Sequence, residues 1–302
     1  MAESCEQLKK AFYVTDRLVT TANSDSKLSF KIALVQMLVA GGAQQENLRR
    51  AELAIASAAG QGAQIALLPE TLDLGWTHPS AKELAEAIPG GEPFERLSEA
   101  AKRHGIFVCA GLTERDRTQV FNSAVLIDDT GQLLHKHRKL NELEIGHEYY
   151  AQGDCLRVVH TPLGAIGVMI CADGFACNQV LSRSLCYMGA DIILSPSAWA
   201  RPATHDNVAD PYGTVWREAY CPVARDFSVW FASASCVGPM TAGPWSGRNC
   251  IGCSMIVDAE GREVLQGPYG ADADTILYAD IRLAPRPARG TEWLTRFQTH
   301  MR

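Results

Sequence analysis

The sequence has no excess of positive charge. Its 302 residues carry 28 Lys and Arg against 34 Asp and Glu, a formal net charge of −6, and its longest basic cluster is the short one from Lys136 to Lys139. That balance lacks the footprint of a nucleic-acid binder, and no nucleic-acid partner is expected. No apolar stretch reaches membrane-spanning length, so no membrane partner is expected either. The first thirty residues hold Glu3, Glu6 and Asp16 and lack a continuous apolar core, so they read as neither a signal peptide nor a transit peptide. There is no internal repeat and no low-complexity tract. The 10 cysteines are scattered through apolar segments (Cys109, Cys171, Cys186, Cys236), without the spacing of a small secreted scaffold. This usage suits a reducing compartment and predicts a soluble, cytoplasmic protein. Only Cys250 and Cys253 form a C-x-x-C, with no second pair at zinc-ribbon spacing, and the same residues read as the start of a strand. No metal and no cofactor are expected.

What is present is enough apolar residue, 47% of the chain, to bury a full α/β core. Residues 1–29 read as an extension with a short helix (Leu8, Phe12, Val14 to Leu18) and a linker of turn-formers. Strand and helix signals then alternate. KIALVQM (31–37) is a strand, Gln44 to Ala59 a helix stopped by Gly60 and Gly62, and QIALLPE a buried strand ending at Pro69 and Glu70. EPFERLSEAAKRHG is a helix and IFVCAGLTE a strand, and VFNSAVLID and QLLHKHRK form a pair joined at Asp128-Asp129-Thr130-Gly131. LRVVHT and AIGVMIC follow, then a helix from about Ala176 to Tyr187 and the strand DIILS. Residues 197–213 read as a functional loop. A helix from Thr214 to Arg225, the strand VWFASAS, a Gly-rich loop (238–252) and the strands SMIVD, REVL and ILYADI complete the pattern. Helices early and late with hairpin-like pairs between predict an α/β sandwich with mixed sheets.

The stretch GAIGVMICADGF (164–175) suggests a chemistry. Its run of small and β-branched residues predicts a strand buried on both faces, with Cys171 at the last position, where α/β folds open their ligand clefts. A thiol there is a candidate nucleophile, although buried cysteines are also common as inert packing. Two more residues lie at or just past strand ends: Glu70 and Lys139. A carboxylate, an amine and a thiol converging on one sheet edge would make a base, an oxyanion stabiliser and a nucleophile. Taken singly, Glu70 reads equally as a turn cap and Lys139 as a solvated cation.

The order of these motifs resembles the nitrilase superfamily, the carbon–nitrogen hydrolases: KIALVQM, Glu within LLPE, FNSAVLID followed by a turn and HRK, and Cys-x-Asp after a Gly-Val-x-Ile run, from about Lys31 to Ile281. The resemblance implies a four-layer αββα sandwich over residues 30–285, with 1–29 and 286–302 outside it. It also implies a catalytic Glu70, Lys139 and Cys171, no metal, and hydrolysis of a non-peptide C–N bond through a cysteine thioester. Ala172 and Asp173 follow the cysteine where nitrilases proper carry Trp and Glu, so small-molecule amides or N-carbamoyl compounds are favoured over nitriles as substrates. A thioester-forming acyl transferase would use the same triad.

Many members of the family place a further glutamate after the lysine. Glu142 and Glu148 compete for that role, and Glu142 is favoured because Glu144 and Glu148 fall in a more polar run. Pocket walls are expected from Trp76, Tyr149, Ala172, Ser197, Trp199 and the loop 200–213. The family pattern, with Trp293, Leu294 and Phe297 on one side of the C-terminal segment, predicts a homodimer or a multiple of it.

Overall fold

The computed structural model describes residues 28–286. Two six-stranded mixed sheets lie face to face, with helices on both outer faces, in the four-layer αββα order. In chain order the elements are β1 (Ser29–Gln36), α1 (Gln44–Gly60), β2 (Ile65–Leu67), α2 (Ala81–Leu84), α3 (Glu92–His104), β3 (Phe107–Asp116), β4 (Gln119–Ile127) and β5 (Leu133–Arg138). The second half contains β6 (Val158–Thr161), β7 (Gly164–Val168), α4 (Val180–Met188), β8 (Ile192–Ser197), β9 (Ala200–Pro202), α5 (Thr214–Phe227), β10 (Trp230–Ser235), β11 (Val237–Pro239), β12 (Arg248–Ile251), β13 (Met255–Val257), β14 (Glu263–Gln266) and β15 (Thr275–Arg282). The first sheet runs β15-β1-β2-β3-β4-β5 and the second β14-β13-β10-β8-β7-β6. Both have parallel strands at their centre and antiparallel strands at their edges.

The period of two in β1 explains the layering. Ile32 and Leu34 join the core between the sheets, while Ala33 and Val35 point to the opposite face and pack with Leu48, Ala51 and Ile55 of α1. All seven are buried, so β1 is apolar on both faces, as a strand covered by a helix on one side and a sheet on the other must be. Helix α3 shows how local chemistry sets an element. It carries Pro93 and two acids in its first turn, three basic residues in its last, and ends at Gly105 in the left-handed conformation (φ 58°). Each feature complements the helix termini or the macrodipole.

The structure differs from the sequence reading in places. The helix expected from Ala176 begins at Val180, because Asn178 and Gln179 are left-handed (φ 55° and 51°) and close a separate 3-10 turn. The loops expected at 197–213 and 238–252 contain β9, β11 and β12, which pair as a small third sheet, β11-β12-β9. Strands of three or four residues show no periodicity to read. The helix expected around Leu8 to Leu18 and the surface at Trp293, Leu294 and Phe297 lie outside the described residues. Among the described residues, no helix is long and apolar enough to cross a membrane.

Candidate active site

Glu70 sits where the chain leaving β2 passes between the two sheets. Gly111 N–H donates to Pro69 O at 2.9 Å and Leu72 N–H to Gly111 O at 2.9 Å, while Glu70 N–H reaches across to Ser197 O of β8 at 3.2 Å. Gly111 is required there, since a Cβ on it would lie 2.5 Å from Glu70 Cα. These bonds aim a buried carboxylate along the sheet edge. Lys139 follows β5 by one residue, with its N–H bonded to Asn122 O at 2.9 Å. Its ammonium lies 2.7 Å from Glu70 Oε1 and 2.9 Å from Glu142 Oε1, in a region where all three side chains are almost fully buried.

Cys171 lies beyond the strand and not at its last position. Strand β7 stops at Val168, and Cys171 opens a 3-10 turn (Cys171–Phe175) with φ 41°. Asp173 is the cause of the turn. Its carboxylate accepts from Ile170 N–H (2.8 Å), Leu140 N–H (3.0 Å) and Asn141 N–H (2.7 Å) and lies 2.8 Å from His137 Nε2. Burial alone would raise Asp173, but its hydrogen bonds, led by the one with His137, hold it below the usual carboxylate range. One buried acid thus ties the turn bearing the thiol to the segment bearing Lys139. Ser195 Oγ accepts the Cys171 N–H at 3.1 Å and fixes the strained residue from below.

The three groups share the wall of one cavity of about 190 Å³. Ala172 and Arg201 line it too, and aromatic rings form most of the rest. Trp199 and Trp216 stack at 4.4 Å, Phe175 lies 4.3 Å from Trp216, and Trp76 meets Trp245 edge-on at 4.9 Å. Of the loop 200–213, Ala200, Arg201 and Tyr212 face the cavity. The other expected wall residues lie elsewhere. Glu148 is exposed and pairs with Lys82 at 3.1 Å, and Tyr149 lies beneath the same lysine, 4.9 Å from its ammonium, in a separate surface hollow. After the 3-10 turn Glu144–Gly146 it is Tyr150 that points inward, its hydroxyl accepting Thr77 N–H at 3.0 Å. Ser197 is fully buried, and its hydroxyl turns away into a serine cluster with Ser233 (2.9 Å). Its contribution is the backbone oxygen that holds Glu70.

Sequence reasoning missed Asn122, whose amide donates to both Glu70 and Glu142, and the ring residues Phe175, Trp216 and Trp245. The Asn lay inside the quoted FNSAVLID stretch, but nothing in a strand pattern marks which residue faces a site. Trp216 reads as helix core, as it also is.

The electrostatics are those of a dry site. Burial pushes Glu70 up, and Glu142 adds to this, while Lys139 opposes it. Burial alone would discharge Lys139, but Glu70 and Glu142 hold it well above its ordinary value, so the ammonium is charged. Burial, and then the neighbouring Glu70, push the Cys171 thiol up. The resting thiol is therefore protonated and needs a base within reach. Glu70 Oε2 is buried and has no hydrogen-bond partner among the described residues, whereas Oε1 holds Lys139. Such an arrangement can take up a thiol proton while a fixed cation waits beside the reacting carbon. Among the described residues, no group of three or more His, Cys, Asp or Glu is placed to hold a metal.

A profile of the carbon-nitrogen hydrolase family matches residues 31–286. A nitrilase of Pyrococcus abyssi (strain GE5 / Orsay) is 34% identical over 176 residues, 57% of this chain and 66% of that protein. An omega-amidase of Xenopus tropicalis is 37% identical over 187 residues, 56% of this chain and 67% of that one. Each alignment spans about two thirds of the relative's length. Among solved structures, a Saccharomyces cerevisiae member of branch 10 of the nitrilase superfamily matches with a TM-score of 0.72 at 23% identity, covering 84% of this chain and 90% of that one. That likeness is one of fold.

Proposed function

This chain belongs to the carbon–nitrogen hydrolase family, and from that premise we propose that it hydrolyses small amide-type C–N bonds through a thioester on Cys171. The observation that carries the reading is the convergence of Glu70, Lys139 and Cys171 on one cavity, with Glu70 Oε2 unpartnered. In the first half-reaction Glu70 takes the thiol proton and the thiolate attacks the carbonyl carbon. The negative charge on oxygen is met by the Lys139 ammonium and by the backbone N–H of Ala172. Preorganised donors of this kind are worth about 10²–10³ in rate each. The C–N bond then breaks, and the amine leaves with the proton from Glu70. In the second half, water gives a proton to Glu70 and attacks the thioester, and the thiol is restored.

Glu142 is assigned to the lysine. With its two oxygens on Lys139 and Asn122, and the Trp76 indole N–H 3.3 Å away, it holds the ammonium against the pull of Glu70. The rings around the cavity suit a substrate with an apolar or planar body beside the amide. Ammonia release from a panel of amides, N-carbamoyl compounds, ureides and nitriles tests the reading. Wild type should act on the amide or carbamoyl members and Cys171→Ala on none. Turnover of nitriles alone, or equal turnover by the variant, would refute it.

A further inference from the structure

Both glutamates of the site rest on one neutral side chain. Asn122 of β4, 1% exposed, gives one amide N–H to Glu70 Oε1 at 2.7 Å and the other to Glu142 Oε2 at 3.0 Å. The reverse orientation of the amide would set its carbonyl oxygen against two carboxylate oxygens at those distances, so donation is the orientation that the acids admit. Its backbone is equally engaged. Asn122 O accepts the Lys139 N–H at 2.9 Å, and across the strand pair Asn122 lies opposite Thr113, which donates to Asp73.

The site needs such a donor. Two carboxylates share a single ammonium, and two like charges in a buried site raise one another's protonation. The groups facing Glu70 are Lys139, Glu142 and Cys171, with Tyr150 and Asp73 in the same buried region. Of these only Lys139 is positive, and its charge is divided between two acids. The Asn122 amide therefore supplies the remaining favourable potential, and it does so without adding a group that titrates.

We propose that Asn122 is a positioning residue: by donating to both acids at once it keeps Glu70 ionised beside a second carboxylate and leaves Oε2 as the oxygen that receives the thiol proton. The proposal rests on Glu70 acting as the base for Cys171. It differs from a packing role in what it predicts for pH. A leucine of similar size fills the space but removes both N–H groups, so Glu70 should hold its proton to higher pH and Cys171 should lose its base.

The test follows alkylation of Cys171 by iodoacetamide across the acid and neutral range, read on the Cys171 peptide by mass spectrometry, in wild type, Asn122→Leu and Asn122→Ser. Ammonia release is measured alongside. Asn122→Leu should react ~10-fold more slowly on the acid side, with its acid limb displaced to higher pH, since hydrogen bonds to ionised groups are the strong ones. Its kcat should fall while KM holds, and Asn122→Ser, which keeps one donor, should lie between. Acid limbs that superpose on wild type in a folded variant would overturn the proposal. If Asn122→Leu does not fold, Asn122→Ser decides it by the same limb. A displaced limb in a protein that releases no ammonia from any amide would sustain the link between Asn122 and the thiol while removing the proposed reaction.

Discussion

Replacing Gly111 with alanine, a single methyl on β3, should disable the site from behind. A Cβ there falls 2.5 Å from Glu70 Cα and 2.8 Å from both Pro69 O and Thr71 N, all backbone atoms. Ordinary contact begins at 3.4 Å, so the segment bearing Glu70 must move by about 1 Å. It has little room to do so, because Gly111 itself bonds Pro69 and Leu72 on one side and Ser197 O holds Glu70 N–H on the other. Overpacking of this kind costs ~1–3 kcal/mol in stability. For a chain of this size that is a loss of a few degrees in Tm. Misplacing a reacting group by ~1 Å costs about 10² in rate, so ammonia release should fall about 100-fold in kcat/KM in a protein that remains folded at 25 °C. Gly60→Ala is the control. A Cβ there meets nothing within 4 Å at the end of α1, and the substitution should be neutral or slightly stabilising. Full activity and an unchanged Tm in Gly111→Ala would refute the argument that the Glu70 segment is clamped between the sheets.

Glu142→Gln should lower turnover by about 10² or more, because Glu70 is then the one carboxylate left to balance the buried Lys139 ammonium; normal turnover would remove Glu142 from the site. Glu148→Gln should leave turnover unchanged, since its pair with Lys82 is exposed; a collapse there would transfer the role to Glu148. Asp73, pushed up to about 7 by burial, should make stability depend on pH. A raised folded pKa means that the folded state holds the proton more tightly, so this contribution is complete below the unfolded value of 3.8 and is lost as pH rises toward 7. The loss is about three units at 1.36 kcal/mol each, ~4 kcal/mol at most. His135, pulled down to about 4 by burial, acts in the opposite sense over the same range and masks the effect in wild type alone. Denaturant unfolding of wild type and Asp73→Asn in parallel isolates it, because His135 is common to both. The two stabilities should diverge as pH rises from 4 to 7, to the variant's advantage, and parallel curves would contradict the assignment.

Long elements could be read from the sequence because their periodicity is itself the packing. In β1 the alternation of Ile32 and Leu34 with Ala33 and Val35 is the division between two cores. Helix α3 announces both ends through Pro93 and Gly105. The site was legible where a residue lies just past a strand, as Glu70 and Lys139 do. Cys171 was placed in the right region but in the wrong conformation, since its left-handed φ follows from Asp173 gathering donors from Ile170, Leu140 and Asn141, two of them more than thirty residues away. Glu148 and Tyr149 were misplaced because a 3-10 turn resets which residue points inward, and such turns carry no period. Asn122 was invisible for a related reason: in a strand buried on both faces, no alternation distinguishes the residue that reaches the site.

The central claim is that Cys171 carries the acyl group. The most direct test is to quench the reaction chemically while an amide substrate is turning over, then digest the protein and locate the added mass. Cys155 and Cys177 are exposed and Cys171 is buried, so accessibility alone would favour the first two. The account predicts an acyl adduct on the Cys171 peptide that forms and decays at the rate of turnover and is absent from Cys171→Ala. An adduct on Cys155 or Cys177 that keeps pace with turnover, or turnover that persists in Cys171→Ala, would contradict it.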